Sequence, residues 1–203
     1  MRKGKGRLFV VSAPSGAGKT TLCRDLIEQV KGLRYSVSHT TRPPRKYEEE
    51  GRDYYFVDDQ TFQEMLDEGK LGEWARIHGH NYGTSVEEFA RAKRDGVDLI
   101  LDIEGYGASQ IRDKWPESVL IFVTTRNLEV LRTRLHERGE NTREEIERRL
   151  ANVRREITYL PQYDYIIINE DFDEAVLGLV SIIYAERSRR DYVISELPEE
   201  FRP

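Results

Sequence analysis

Apolar positions along the chain follow two rhythms. Continuous or alternating apolar runs predict strands at "RLFVVS" (7–12), "DYYFV" (53–57), "VDLILD" (97–102), "VLIFVT" (119–124) and "YDYIIIN" (163–169), and "RYSVSHTTR" (34–42) predicts a further strand running into a loop. Helical stripes fall between them: Leu22, Leu26, Ile27 and Val30; Phe62, Met65 and Leu66; Leu128, Leu131 and Leu135; Ile146, Leu150, Val153 and Ile157; Phe172, Val176, Leu179, Val180 and Ile183. Gly32, Gly69 and Gly96 read as helix stops, and Ser85/Glu88 and Thr142/Glu145 as capping boxes. "GEWARIHGHNYGT" (72–84) reads as a hairpin turning near Gly79.

Nearly continuous apolar strands suit a parallel sheet covered on both faces. Strands alternating with helices therefore predict an α/β fold with a mostly parallel sheet flanked by helices. Residues from about 34 to 84 break this rhythm and read as a strand-rich inserted subdomain. The core is expected at 7–33 and 97–187, with a C-terminal tail at 188–203.

Composition narrows the class. A chain of 203 residues suits one domain with insertions, and 34% charged residues beside 38% hydrophobic ones suit a polar-surfaced globular protein rather than a disordered one. Its apolar runs are too short to cross a bilayer, so no membrane partner is expected. The basic then apolar N-terminus is cut short by Pro14 and the glycines that follow, unlike a signal peptide. Cys23 is the only cysteine, which excludes an intrachain disulfide and fits the cytoplasm. A net charge of −5 argues against broad nucleic-acid binding.

The strongest chemical motif runs Ala13-Pro14-Ser15-Gly16-Ala17-Gly18-Lys19-Thr20-Thr21, between the first strand and the first helix. Glycines let successive backbone N–H groups curl around an anion, and the helix N-terminus adds positive potential. Lys19 would reach the outer phosphates of a nucleotide, and the Thr20 hydroxyl would serve Mg²⁺. The strict pattern has Gly where this chain has Ala13.

Two further stretches suggest an acceptor. Arg42 and Arg45 flank Pro43-Pro44, and polyproline geometry puts both on one side, about 9 Å apart, as two forks for a phosphate. Ser38 and Tyr54 add neutral donors. Alone, this segment reads equally as a solvated basic loop. Glu73, with Thr84 across the hairpin, offers a carboxylate for the two neighbouring donors of a guanine edge, and Tyr82 a hydroxyl for phosphate; alone, Glu73 reads more simply as a surface acid.

"SAPSGAGKTT", "SVSHTTRPPR", "DYYF", "GEWA", "NYGTS" and "LDIEGYGA" occur in the order and at the spacings of guanylate kinases, which the chain resembles from about Arg7 to Arg187. The resemblance implies a P-loop NTPase fold with an ATP-binding core, an inserted GMP-binding subdomain and a short lid at about 136–149. It implies Mg²⁺-dependent transfer of the γ-phosphoryl group of ATP to GMP, giving ADP and GDP. By position, the GMP-phosphate contacts fall on Ser38, Arg42, Arg45, Tyr54 and Tyr82, and the guanine contacts on Glu73, Thr84 and Glu104. Asp102, ending an apolar strand, joins the GMP-binding set and, with Thr20, is expected to hold Mg²⁺ through water.

Eight arginines crowd 132–155. The resemblance assigns catalysis to Arg138 and Arg149, together with Lys19 and Arg42, and places Arg134 near adenine. Departures from the family pattern stand at Tyr47, Glu104 and Gly105-Tyr106. They leave open a relative that phosphorylates another monophosphate or a ribose bisphosphate, which Glu73 and Thr84 argue against. A GTPase switch lacks its Asn-Lys-x-Asp base reader here, and a peptide-binding scaffold would not need Lys19, Thr20 and the arginine pair. His78-x-His80 has no third metal ligand nearby, His39 reads as a structural loop residue, Cys23 as packed, and Trp74 and Trp115 as core or pocket wall. Monomer and homodimer are equally compatible with the sequence.

Overall fold

The computed structural model describes residues 6–77, 79–137, 142–194 and 197–202. From β1 (Leu8–Ser12) the chain passes through the glycine loop into α1 (Lys19–Gln29) and returns as β2 (Leu33–Tyr35). It leaves the core for β3 (His39–Thr40), β4 (Tyr55–Phe56), α2 (Asp59–Asp67) and the hairpin of β5 (Leu71–Ile77) and β6 (His80–Ser85). Helix α3 (Val86–Asp95) leads back to β7 (Asp98–Asp102), α4 (Gly105–Lys114) and β8 (Val119–Thr124). The chain ends through α5 (Leu128–Glu137), α6 (Arg143–Ile157), β9 (Tyr165–Ile168), α7 (Phe172–Glu186) and the short α8 (Arg190–Val193).

Among the described residues the strands form two sheets. The core sheet has the order β2-β7-β1-β8-β9 and is parallel throughout, whereas the smaller sheet runs β4-β3-β6-β5 and is mixed. Alternate residues of β1 explain the continuous apolar run. Phe9 and Val11 pack with α1, α5, α6 and α7 through Leu22, Leu131, Leu150 and Leu179, while Leu8 and Val10 pack with α3 and α4 through Phe89, Ala108 and Ile111. Each fully buried side chain of this size is worth about 1.5–3 kcal/mol, so the strand beneath the glycine loop is firmly held. A charge at Val10 would break that layer.

Two sequence expectations change, and one helix arises that the apolar pattern does not announce. The strand expected over 34–42 splits: Ser36 N donates to Ile100 O (2.9 Å), ending β2 in the core sheet, and the chain crosses to the smaller sheet, where Tyr55 N donates to Ser38 O (2.9 Å). Ser85 does cap α3, but it accepts from Glu87 N (3.2 Å), and Glu88 turns to pair with Arg91, so there is no reciprocal box. Helix α4 had no apolar stripe to announce it, because its buried face is Gly105, Gly107, Ala108 and Ile111. The Thr142/Glu145 box is present.

Part of the C-terminal segment packs on the core. Asp98 accepts from Arg187 Nε (2.8 Å), Arg7 N (2.9 Å) and Tyr192 OH (2.9 Å). This ties the start of β7 at the end of the sheet away from Asp102.

Candidate active site

The glycine loop leaves β1 at the carboxyl end of the parallel sheet, where such folds bind ligands. Gly16 and Gly18 adopt φ of 92° and 90°, which side-chain-bearing residues rarely do. A Cβ on Gly18 would stand 2.7 Å from Asn169 Nδ2, the atom that donates to Ala17 O at 2.7 Å. Asn169, at the end of β9, therefore fixes the loop from behind. No side chain caps the N-terminus of α1, so its first N–H groups are left for an anion.

Lys19 Nζ pairs with Asp102 Oδ1 at 2.8 Å and donates to Ile103 O at 3.0 Å. The other Asp102 oxygen accepts from Thr20 Oγ1 (2.9 Å) and Tyr35 OH (2.8 Å). Burial pushes the Asp102 carboxyl up, but the Lys19 charge and these bonds outweigh it and hold the group below its ordinary value. Burial opposes the Lys19 charge too, and the Asp102 pair reverses that, keeping the ammonium protonated. Thr20 and Asp102 are hard oxygen donors side by side, and no cluster of three His, Cys, Asp or Glu residues able to hold a metal exists among the described residues. That pairing fits Mg²⁺, which keeps most of its shell as water and substrate phosphate.

Glu73 is not a surface acid: it is 3% exposed. A β-bulge between Leu71 and Glu73 sets it opposite Thr84, as bulges do where a side chain must be re-aimed. Its Oε1 accepts from Thr84 Oγ1 at 2.7 Å, and that hydroxyl lies 3.0 Å from Ser38 Oγ. Burial lifts the Glu73 carboxyl to about 7, against the pull of the Thr84 bonds.

The arginine pair departs from the arrangement its spacing predicts. Arg42 Nε donates to Tyr82 OH (3.1 Å), its NH2 group pairs with Glu48 Oε1 (2.7 Å), and its guanidinium lies 5.4 Å from the Tyr54 ring centroid. Glu48 Oε2 accepts from Arg45 N (2.7 Å). Arg45 lines the cleft, but the Arg42 fork is already engaged, so the two forks are not presented there together. Glu48 was not foreseen because it sits in a run of three glutamates, indistinguishable by type.

One cavity of about 700 Å³ is lined by Lys19 and Thr20 on one side, Arg45, Tyr54, Glu73 and Tyr82 on the other, and Ser38, Asp102, Glu104 and Arg149 between. A neighbouring one of about 670 Å³ follows the loop, from Ala13 to Gly16 and Gly18 to Thr21, to Glu104 and Tyr106. Arg149, on α6, reaches Ser15 Oγ at 3.1 Å. Arg134 donates to Asn169 O (2.9 Å) beside Gly16 and Gly18. Arg138 and His78 lie outside the described residues. Tyr47 is 80% exposed and lines neither cavity, while Glu104 lines both and Tyr106 one. His39 is a strand residue stacked on Tyr55, Cys23 is buried, and Trp74 forms part of the cavity wall.

A parallel sheet covered by helices, a phosphate loop at its carboxyl edge and a second sheet facing that loop define a phosphotransferase of the P-loop NTPase fold. The family model described as guanylate kinase matches residues 5–186. The guanylate kinase of Syntrophotalea carbinolica is 47% identical over 194 residues, covering 96% of this chain and 92% of that one, and that of Geobacter metallireducens is 44% identical over 98% of both. A crystal structure of guanylate kinase from Anaplasma phagocytophilum superposes with a TM-score of 0.76 at 32% identity, over 96% of this chain and 97% of that one. The chain belongs to the guanylate kinase family, the ATP:GMP phosphotransferases. Among the described residues no helix is long and apolar enough to cross a membrane.

Proposed function

We propose that this chain transfers the γ-phosphoryl group of ATP to GMP across the cavity between its glycine loop and its smaller sheet. The observation that carries the assignment of residues is that one cavity is lined both by Lys19 and Thr20 and by Arg45 and Glu73.

ATP lies along residues 13–21, its phosphates on the loop N–H groups, with Arg134 toward adenine. Lys19 exchanges Asp102 for the outer phosphates. Thr20 and, through water, Asp102 would hold Mg²⁺, whose charge would offset that of the phosphate oxygens when bound. GMP lies on the insertion, expected at about 34–84, whose first two residues, Arg34 and Tyr35, still belong to β2 of the core sheet. Glu73 accepts the two guanine donors, with Thr84 and Glu104 completing the pocket, and Ser38, Arg42, Arg45, Tyr54 and Tyr82 take the phosphate, for which Arg42 exchanges Glu48. Adenine presents an acceptor where guanine presents N1–H, so a buried carboxylate rejects it. Asp102, at the meeting point of both substrates, also borders GMP.

The acceptor phosphate is already anionic, so no base is needed. The task is to neutralise charge along the in-line path, which falls to Lys19, Arg42, Arg138 and Arg149. The lid, about residues 136–149, and the insertion close over the rest of the core (7–33 and 97–187 outside the lid) to exclude water that would otherwise take the phosphoryl group. A cytoplasmic site of action suits the single free thiol.

A coupled assay over GMP, AMP, CMP, UMP and ribose phosphates tests the reading. A strong GMP preference that Glu73→Ala abolishes is expected. Equal turnover of another monophosphate, or an unchanged preference in the variant, would overturn it. Closure is tested by energy transfer between labels on lid and insertion, which GMP should bring together.

A further inference from the structure

Strand β5 is the edge of the smaller sheet, yet its outer side is occupied at the guanine pocket. Gln110 of α4 donates from Nε2 to Trp74 O at 2.7 Å and accepts from Trp74 N at 3.2 Å through Oε1. One side-chain amide thus makes both bonds that a neighbouring strand would make to that residue. One turn further on, Lys114 Nζ donates to Gly72 O at 2.7 Å. Nearly one turn before, a Cβ on Gly107 would stand 2.6 Å from Glu73 Oε2 and 3.5 Å from its Cδ. Positions 107, 110 and 114 share one helix face. They meet three consecutive residues of β5, with Glu73 in the middle.

The helix making these contacts is anchored to the core. It follows β7 directly, Gly105 N donates to Glu156 Oε2 at 3.0 Å, and Gly105 O accepts from Gln162 Nε2 at 3.2 Å. Trp74 N belongs to the peptide plane that carries the Glu73 carbonyl, so a bond at Trp74 N fixes the orientation of Glu73 itself. The carboxylate is then bounded by the Thr84 hydroxyl on Oε1 and by the bare backbone of Gly107 on Oε2. Two donors on a planar base demand that both oxygens stand in place, and a misplacement of about 1 Å costs about a hundredfold.

We infer that Gln110 and Gly107 are positioning residues for guanine recognition, Gln110 by fixing the backbone that carries Glu73 and Gly107 by leaving the space in which its carboxylate stands. The inference rests on the reading of Glu73 as the base-reading group. Sequence alone gave no sign of it, since Gly107 and Gln110 lie on a helix without an apolar stripe.

The test compares Gly107→Ala and Gln110→Leu with the unmodified enzyme, measuring KM for GMP and for ATP separately and the melting temperature. Each variant is expected to raise KM for GMP at least tenfold while KM for ATP stays within about twofold. A double-mutant cycle adds a readout that mere stability does not move. Glu73→Asp withdraws the carboxylate from residue 107, so its penalty on GMP should be at least threefold smaller in the Gly107→Ala background than alone. A lowered melting temperature with KM for GMP at the wild-type value, or additive effects in the cycle, would overturn the inference. If Gln110→Leu does not fold, the Gly107 cycle decides alone. Glu73→Gln serves as control: a wild-type KM for GMP in that variant removes the underlying reading, whereas a raised one beside unaffected Gly107→Ala and Gln110→Leu removes only this inference.

Discussion

Replacing Glu73 by glutamine keeps its volume and a bond to Thr84 while deleting the charge that burial makes costly. The Glu73 carboxyl titrates at about 7 against an ordinary value of 4.5, and only the anion accepts both guanine donors. About half the molecules are then charged at pH 7, and about one in eleven at pH 6. From this group alone the apparent affinity for GMP should rise about tenfold between pH 6 and pH 8. Binding at pH 7 should release about half a proton from Glu73. The GMP phosphate also titrates near pH 6, but it does so equally in both proteins, so the difference between them isolates Glu73. Titration calorimetry in two buffers of unlike ionisation enthalpy counts the protons. The wild type is expected to release about half a proton more than Glu73→Gln. In turnover, the variant leaves one guanine donor facing an amide N–H, at a cost of about 2–3 kcal/mol or roughly 30–150-fold in kcat/KM for GMP. Equal proton release in the two proteins would refute the reasoning.

The same shift acts with opposite sign on stability. The folded protein keeps the Glu73 proton up to about pH 7, whereas the unfolded chain loses it near 4.5, so the contribution is complete below 4.5 and lost by 7; Glu73→Gln should melt several degrees above the wild type at pH 8, with the gap closing toward pH 4.5, from a term on the order of 3 kcal/mol. Arg149→Ala removes the α6 cation beside Ser15 and should lower kcat by about 100–1000-fold with GMP affinity nearly unchanged in equilibrium binding. Asn169→Ala strips the Ala17 carbonyl of its buried donor and should cost about 1–3 kcal/mol in thermal unfolding, with a raised KM for ATP and an unaltered one for GMP. Chelation should abolish turnover, Mg²⁺ should restore it, and Asp102→Asn should raise the Mg²⁺ needed for half-maximal rate by about 10–100-fold.

Much of this was legible because strand and helix periods are set by burial. The β1 run reads correctly since both of its faces are covered, and Thr142/Glu145 reads correctly since a capping box is local. Failures follow where a partner outside the pattern decides. Ser36 is held to the core sheet by Ile100 while Ser38, two residues on, pairs with Tyr55 in the smaller sheet; α4 buries two glycines beside Ala108 and Ile111, too few large side chains for a stripe; and Glu88 is drawn from its cap by Arg91, a competing pair within its own helix. In the site, Lys19, Thr20 and Glu73 were visible as residue types in a pattern. Tyr35, Glu48, Gln110 and Asn169 were not, since each acts on a group remote in the chain or identical to its neighbours.

The most direct measurement is a crystal structure of the GMP complex. Guanine N1–H and the amino group should both donate to Glu73 at ordinary hydrogen-bond distance, with the phosphate on Arg42 and Arg45 and the Gln110–Trp74 pair intact. A base bound away from Glu73, or a phosphate that touches neither arginine, would contradict the assignment of this cleft to a guanine nucleotide.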